Sequence, residues 1–238
     1  MALDVPGFDA AIVSLPSGDA AGQPVLIAAH GAGDNPVWQC ETWREILGDR
    51  AIILCLSGPR EMPRSDARYF PDHFALEKIA FASLEALRRA LPESSRTRRV
   101  VYTGYSQGAT MGALMIVTHG DSCPRLALVE GGFDGWTLAR AEKFKRTGGE
   151  RVLFACGTGH CRKRAEASAQ TLVKAGVASR VVADLSGGHS YGGAVGRAVK
   201  ESLSWLVEDD ANWNPSPAAP ALKDAGPRAP KGPASRAP

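Results

Sequence analysis

Val100-Val101-Tyr102-Thr103-Gly104-Tyr105-Ser106-Gln107-Gly108-Ala109-Thr110 is the stretch whose reading decides the fold. A β-branched run enters a Gly-x-Ser-x-Gly turn, and a run of small residues suited to a helix leaves it. This is the pattern of a nucleophile elbow, in which a strand reverses into a helix so sharply that the central serine takes a strained backbone. Glycines flank Ser106 because strand and helix crowd together where a Cβ would clash. The hydroxyl is thereby lifted to the carboxyl end of a sheet, beside a helix N-terminus that favours negative charge.

Outward from the elbow, apolar runs of strand length alternate with helical patterns. Strands are predicted at 11–15, 24–29, 51–56, 126–130, 151–156 and 179–185, and helices at 38–47, 73–90, 107–118, 162–175 and 194–208. Several of the strand runs are apolar on both faces, which predicts burial on both faces and parallel pairing. Strand and helix in alternation predict an α/β domain: a mostly parallel sheet with helices on both sides. Asp72 is placed to cap the helix at 73–90. The connection 57–72 is long and carries Pro59, Pro63 and Pro71 beside Tyr69 and Phe70. Loops of that length are often functional, and the two aromatics are expected to wall an acyl pocket.

Of 238 residues, 44% are hydrophobic and 22% charged, which suits one sizeable domain with a buried sheet. Residues 1–210 are assigned to it. Over 211–238 there are seven prolines and eight alanines, too little apolar surface to offset ordering entropy, so a disordered Pro/Ala-rich tail is expected. Net charge is +3, from 28 basic and 25 acidic side chains. The short basic runs Arg96-Thr97-Arg98-Arg99 and Arg162-Lys163-Arg164 read as solvated faces, and no nucleic-acid partner is expected.

No 18-residue apolar run exists to span a membrane, and the first residues lack the features of a secretory leader. The default is therefore a cytoplasmic protein with reduced thiols, or an extracytoplasmic one if a leader is missing from this chain. The five cysteines lie at 40, 55, 123, 156 and 161, an odd count without zinc-type pairing. Cys156 with Cys161, and Cys40 with Cys55, are close enough in sequence to be bridged. A metal site from Cys156, Cys161 and His160 lacks a fourth ligand.

Chemistry collects at the strand ends. Ser106 needs a base within hydrogen-bond reach before its hydroxyl can attack a carbonyl. His189, in the glycine-rich segment Gly187-Gly188-His189-Ser190 after the last strand, is the candidate base, since imidazole takes and returns a proton near neutrality. His30 and Asp34, in the loop His30-Gly31-Ala32-Gly33-Asp34, are read as shaping that loop.

With His30-Gly31-Ala32-Gly33-Asp34, Gly104-Tyr105-Ser106-Gln107-Gly108-Ala109 and Gly188-His189-Ser190 in this order, the chain resembles the α/β-hydrolase superfamily. The resemblance covers roughly residues 20–208 and is nearest to small carboxylesterases, acyl-thioesterases and dienelactone hydrolases. It implies that the backbone N–H groups of Ala32 and Gln107 form an oxyanion hole. Each such fixed amide contributes about 2.7–4 kcal/mol to transition-state stabilisation.

The acid is where this chain departs from the pattern. The resemblance places an aspartate just after the strand at 151–156, but Gly157-Thr158-Gly159 is followed by His160. A histidine cannot stabilise the imidazolium of the base. Asp134 is the preferred replacement, Glu130 the second, and a site without an acid the third. Asp184 is expected to point away from His189.

The function expected is a serine hydrolase cleaving an ester or thioester of a small to medium acyl group through an acyl-serine, with no cofactor. Its rivals are a catalytically impaired binding protein, which requires that no carboxylate reach His189, and a serine peptidase on the same fold.

Overall fold

A computed structural model of the chain describes residues 1–92 and 99–214. Among the described residues eight strands form one sheet: β1 (Ala2–Leu3), β2 (Ala11–Ser14), β3 (Val25–Ala29), β4 (Ile52–Cys55), β5 (Val101–Tyr105), β6 (Arg125–Val129), β7 (Arg151–Cys156) and β8 (Ala178–Ala183). Their spatial order is β1-β2-β4-β3-β5-β6-β7-β8. β1 and β2 pair antiparallel at one edge, and every pairing from β4 to β8 is parallel.

The helices are α1 (Pro36–Leu47), α2 (His73–Ala90), α3 (Gln107–Met115), α4 (Leu138–Arg146), α5 (Gly159–Lys174) and α6 (Gly193–Leu206). Alternation along β3 explains the two layers. Val25, Ile27 and Ala29 join a core that includes Leu76 and Ile79 of α2, Ala109 and Ala113 of α3, Phe144 of α4, and Ala165 and Leu172 of α5. Leu26 and Ala28 face the other way, onto Trp43 and Ile46 of α1 and Val195, Val199 and Leu203 of α6. All five residues of β3 are buried, as the apolar run requires.

Helix starts follow their caps. Asn35 accepts from the N–H groups of Val37 and Trp38, with Pro36 in the first turn, and Asp72 accepts from Ala75 N–H at 2.7 Å. α3 has no side-chain cap, because it leaves directly from Ser106.

Three expectations change. α4 is not anticipated by the apolar pattern, because Ala141 and Phe144 are its only buried residues. The expected helix 107–118 ends its α-helical part at Met115 and finishes as a 3-10 turn, Ile116–Thr118. Ala211–Asn214 do not separate from the domain: Trp213 is buried beside α6, and the Asn214 side chain donates to Val207 O at 2.7 Å. The rest of the expected tail, 215–238, and most of the first basic run, 93–98, lie outside the described residues. Arg99 pairs with Glu150, Arg162 with Glu166 and Arg164 with Asp134. Among the described residues no helix is long and apolar enough to cross a membrane.

Candidate active site

Strand order reverses between β3 and β5, and the loops that leave their carboxyl ends diverge there. Such switch points are where open α/β sheets form their binding crevices. β3 runs into the 30–34 loop and β5 into Ser106, so both candidate motifs arrive at the same crevice.

Ser106 has φ +50° and ψ −109°, a conformation that L-residues rarely adopt. The flanking glycines are demanded by space. A Cβ on Gly104 would lie 2.5 Å from the backbone of Gly108 and Ala109, and one on Gly108 would lie 2.4 Å from Ala29 O. Strand and helix are pressed together with the serine at the crease.

His189 completes a hydrogen-bonded chain. Its Nδ1 lies 2.9 Å from Glu130 Oε2, and its Nε2 lies 3.0 Å from Ser106 Oγ. A carboxylate can only accept, so Nδ1 carries the proton and Nε2 is left to accept from the serine hydroxyl. The Tyr105 hydroxyl, pushed up to about 12 by burial and therefore a persistent donor, donates to His189 O at 2.9 Å.

Glu130 is the carboxylate that reaches the base, and Asp134 is not. Glu130 is the residue immediately after β6 and takes φ +50°. The next residue, Gly131, passes so close that a Cβ would sit 2.4 Å from Ser106 O. This reversal turns the Glu130 side chain inward until it is 2% exposed, and then carries the chain out over α3. By residue 134 the turn has reached the surface, where half-exposed Asp134 pairs with Arg164 of α5. Asp184 also stays outside, bonded to Ser186.

A buried carboxylate is costly unless its oxygens are satisfied. Glu130 Oε1 accepts from Gly157 N–H at 2.5 Å and Thr158 N–H at 2.9 Å, and the Thr158 hydroxyl reaches Oε2 at 3.1 Å. The turn after β7, where the resemblance puts an acid, thus supplies donors to an acid on the neighbouring strand. Sequence reasoning missed that exchange. The signal was a glutamate ending an apolar strand, beside a turn rich in N–H and hydroxyl donors.

The 30–34 loop and the start of α3 lie side by side at Ser106. A Cβ on Gly31 would lie 3.3 Å from Ser106 Cβ, so the 30–34 loop abuts Ser106. Gln107 opens α3, and the first N–H groups of a helix have no partner within it. His30 and Asp34 shape the loop. His30 Nε2 accepts from Gly58 N–H at 3.1 Å, and burial drives its pKa down to about 4. Asp34 accepts from Asn35 N–H and from the Gln39 side chain.

The 57–72 connection supports this loop instead of walling a pocket with both aromatics. Phe70 is fully buried and stacks on His30 with ring centroids 4.4 Å apart; Tyr69 is half-buried. Gly33 N–H donates to Arg68 O and Phe70 N–H to Gln107 Oε1, so the connection is pinned to both the 30–34 loop and the start of α3.

Cys40–Cys55 and Cys156–Cys161 are disulfides, and Cys123 is a buried free thiol. The default of reduced thiols is therefore corrected. Sulfurs of Cys156 and Cys161 lie with a Glu130 oxygen in a buried cluster within 4.8 Å. With the sulfurs bonded to each other and the carboxylate taken up by His189 and Thr158, this cluster does not fit a metal. His160 instead meets the Phe133 ring edge-on.

Sheet order, elbow and strand-end loops define a protein with the α/β-hydrolase fold. No family model matches the sequence, and no curated protein does. Solved structures that share the fold include a Bacillus cereus carboxylesterase, at 18% identity over 82% of this chain and 93% of that one, with a TM-score of 0.56. The dienelactone hydrolase from Anabaena variabilis is 15% identical over 87% of this chain and 94% of that one, with a TM-score of 0.64. Est1E from Butyrivibrio proteoclasticus is 14% identical over 87% of this chain and 98% of that one, with a TM-score of 0.61.

Proposed function

We propose that this protein is a serine hydrolase that cleaves a carboxylic ester or thioester of a small to medium acyl group. The observation that carries the reading is the continuous chain Ser106 Oγ–His189–Glu130, with contacts of 3.0 and 2.9 Å. Ser106 attacks the carbonyl while His189 Nε2 takes its proton. Glu130 holds the imidazole in the required tautomer and stabilises the imidazolium that forms. The amides of Ala32 and Gln107 bind the oxyanion. His189 returns its proton to the leaving group, and water activated by the same imidazole releases the acyl group. The chemistry needs no cofactor. That structures sharing the fold include a carboxylesterase and an esterase supports this class of substrate.

The impaired-binder rival required that no carboxylate reach His189, and Glu130 counts against it. The peptidase rival has no charged anchor in the sequence to favour it. Two disulfides also favour maturation in an oxidising compartment over the cytoplasmic default.

A fluorophosphonate probe should label the wild-type protein at Ser106 and leave Ser106→Ala unlabelled. Hydrolysis of short-chain p-nitrophenyl esters should disappear in the same variant. Absence of wild-type labelling, under conditions that label a comparable esterase, would sink the reading.

A further inference from the structure

The turn Gly157-Thr158-Gly159-His160 holds the acid without containing one. It is closed on itself by the Cys156–Cys161 disulfide, which joins the last residue of β7 to the first turn of α5. Both cysteines are buried, so the ring is anchored in the core at its two ends, while Gly159 and His160 between them are exposed. The Thr158 hydroxyl has two partners. As the cap of α5 its oxygen accepts from Cys161 N–H at 3.2 Å, leaving its one proton for Glu130 at 3.1 Å. Its backbone N–H binds the same carboxylate at 2.9 Å.

Glu130 Oε2 is therefore shared by the Thr158 hydroxyl and His189 Nδ1. The turn also backs onto the loop of the base, for a Cβ on Gly157 would fall 2.0 Å from Gly188 O. Glu130 stands on a strained backbone at φ +50°, a conformation kept only where the surroundings over-determine it.

We propose that Thr158, in a turn clamped by the Cys156–Cys161 disulfide, is a positioning residue that acts on His189 through Glu130. The proposal rests on the reading of Ser106, His189 and Glu130 as a catalytic triad. Thr158 touches no reacting atom. It fixes which Glu130 oxygen faces Nδ1, and the disulfide fixes where Thr158 stands. Sulfur chemistry thus replaces, at this turn, the carboxylate that the resemblance led one to expect there.

The test uses the full chain and four proteins: wild type, Thr158→Val, Thr158→Ser and Cys156→Ser/Cys161→Ser. Steady-state hydrolysis of a p-nitrophenyl ester is measured together with the downfield proton resonance of His189 Nδ1–H. Thr158→Val and the disulfide-free variant should lower kcat about tenfold with KM unchanged, as expected for losing a hydrogen bond to a charged group. Both should weaken or abolish the resonance. Thr158→Ser, which keeps the hydroxyl, should restore both.

If Thr158→Val keeps kcat within about twofold and retains the resonance, the positioning role is overturned. If the disulfide-free protein loses activity only in proportion to its unfolded fraction by circular dichroism, the clamp is overturned. Failure of wild type to react with a fluorophosphonate would instead defeat the hydrolase reading, while the resonance would still decide the placement of Thr158.

Discussion

Asp134 and Glu130 stand four residues apart on one turn, and their roles divide at a single backbone angle. With φ at +50° Glu130 faces inward, where four hydrogen bonds from Gly157, Thr158 and His189 hold its carboxylate. Asp134, half-exposed beside Arg164, sits in water that screens its charge. Glu130→Gln should therefore lower kcat by about 10⁴-fold, the loss expected when the acid of a triad is neutralised and the imidazole takes the wrong tautomer. Asp134→Asn should leave kcat within about twofold, since an exposed ion pair is worth little. Steady-state kinetics on the two purified variants separates the assignments, and the reverse ranking would restore Asp134.

At the scale of the element, the loop after β3 owes its shape to a neutral imidazole. His30 is fully buried, stacks on Phe70 and accepts from Gly58 N–H. A protonated ring could not accept that bond, and burial holds the pKa near 4 against an ordinary 6.5. Between those values the unfolded chain binds a proton at this position and the folded chain does not. The stabilisation is complete above about pH 6.5 and is lost as the pH falls toward 4, amounting to roughly 3 kcal/mol over the whole interval. Urea midpoints should drop between about pH 7 and pH 5 for wild type, and drop less for His30→Asn. Equal slopes would show that other groups carry the acid sensitivity. The place of the same loop after a buried strand was legible in the sequence, and its oxyanion role was implied by the resemblance alone. Its support by Phe70 was not legible, for an aromatic in a proline-rich connection reads as pocket wall.

At the scale of the molecule, the two disulfides serve different ends. Cys156–Cys161 closes a short turn at the site, whereas Cys40–Cys55 ties α1 to β4 across 15 residues. Closing a loop of that length contributes about 3 kcal/mol by restricting the unfolded chain. Cys40→Ser/Cys55→Ser should lose roughly that much in denaturant unfolding while keeping ester hydrolysis. A loss of activity without a loss of stability would contradict it. Cys123, buried and with its thiol pushed up to about 12, stays unreactive in the folded protein.

Local composition by itself determined the alternation of strands and helices, the burial of β3, the elbow at Ser106 and the singling out of His189 after the last strand. Those are properties of short segments: apolar periodicity, glycine where strand meets helix, caps at helix starts. Only the tertiary structure decided which carboxylate reaches His189, the disulfide pairing, the part played by Phe70 and the docking of Trp213. Each depends on which strand lies beside which. Once β6 and β7 pair in parallel, a glutamate at the end of one meets the amides and hydroxyl at the end of the other. No spacing along the chain records that distance, because the two meet across the sheet.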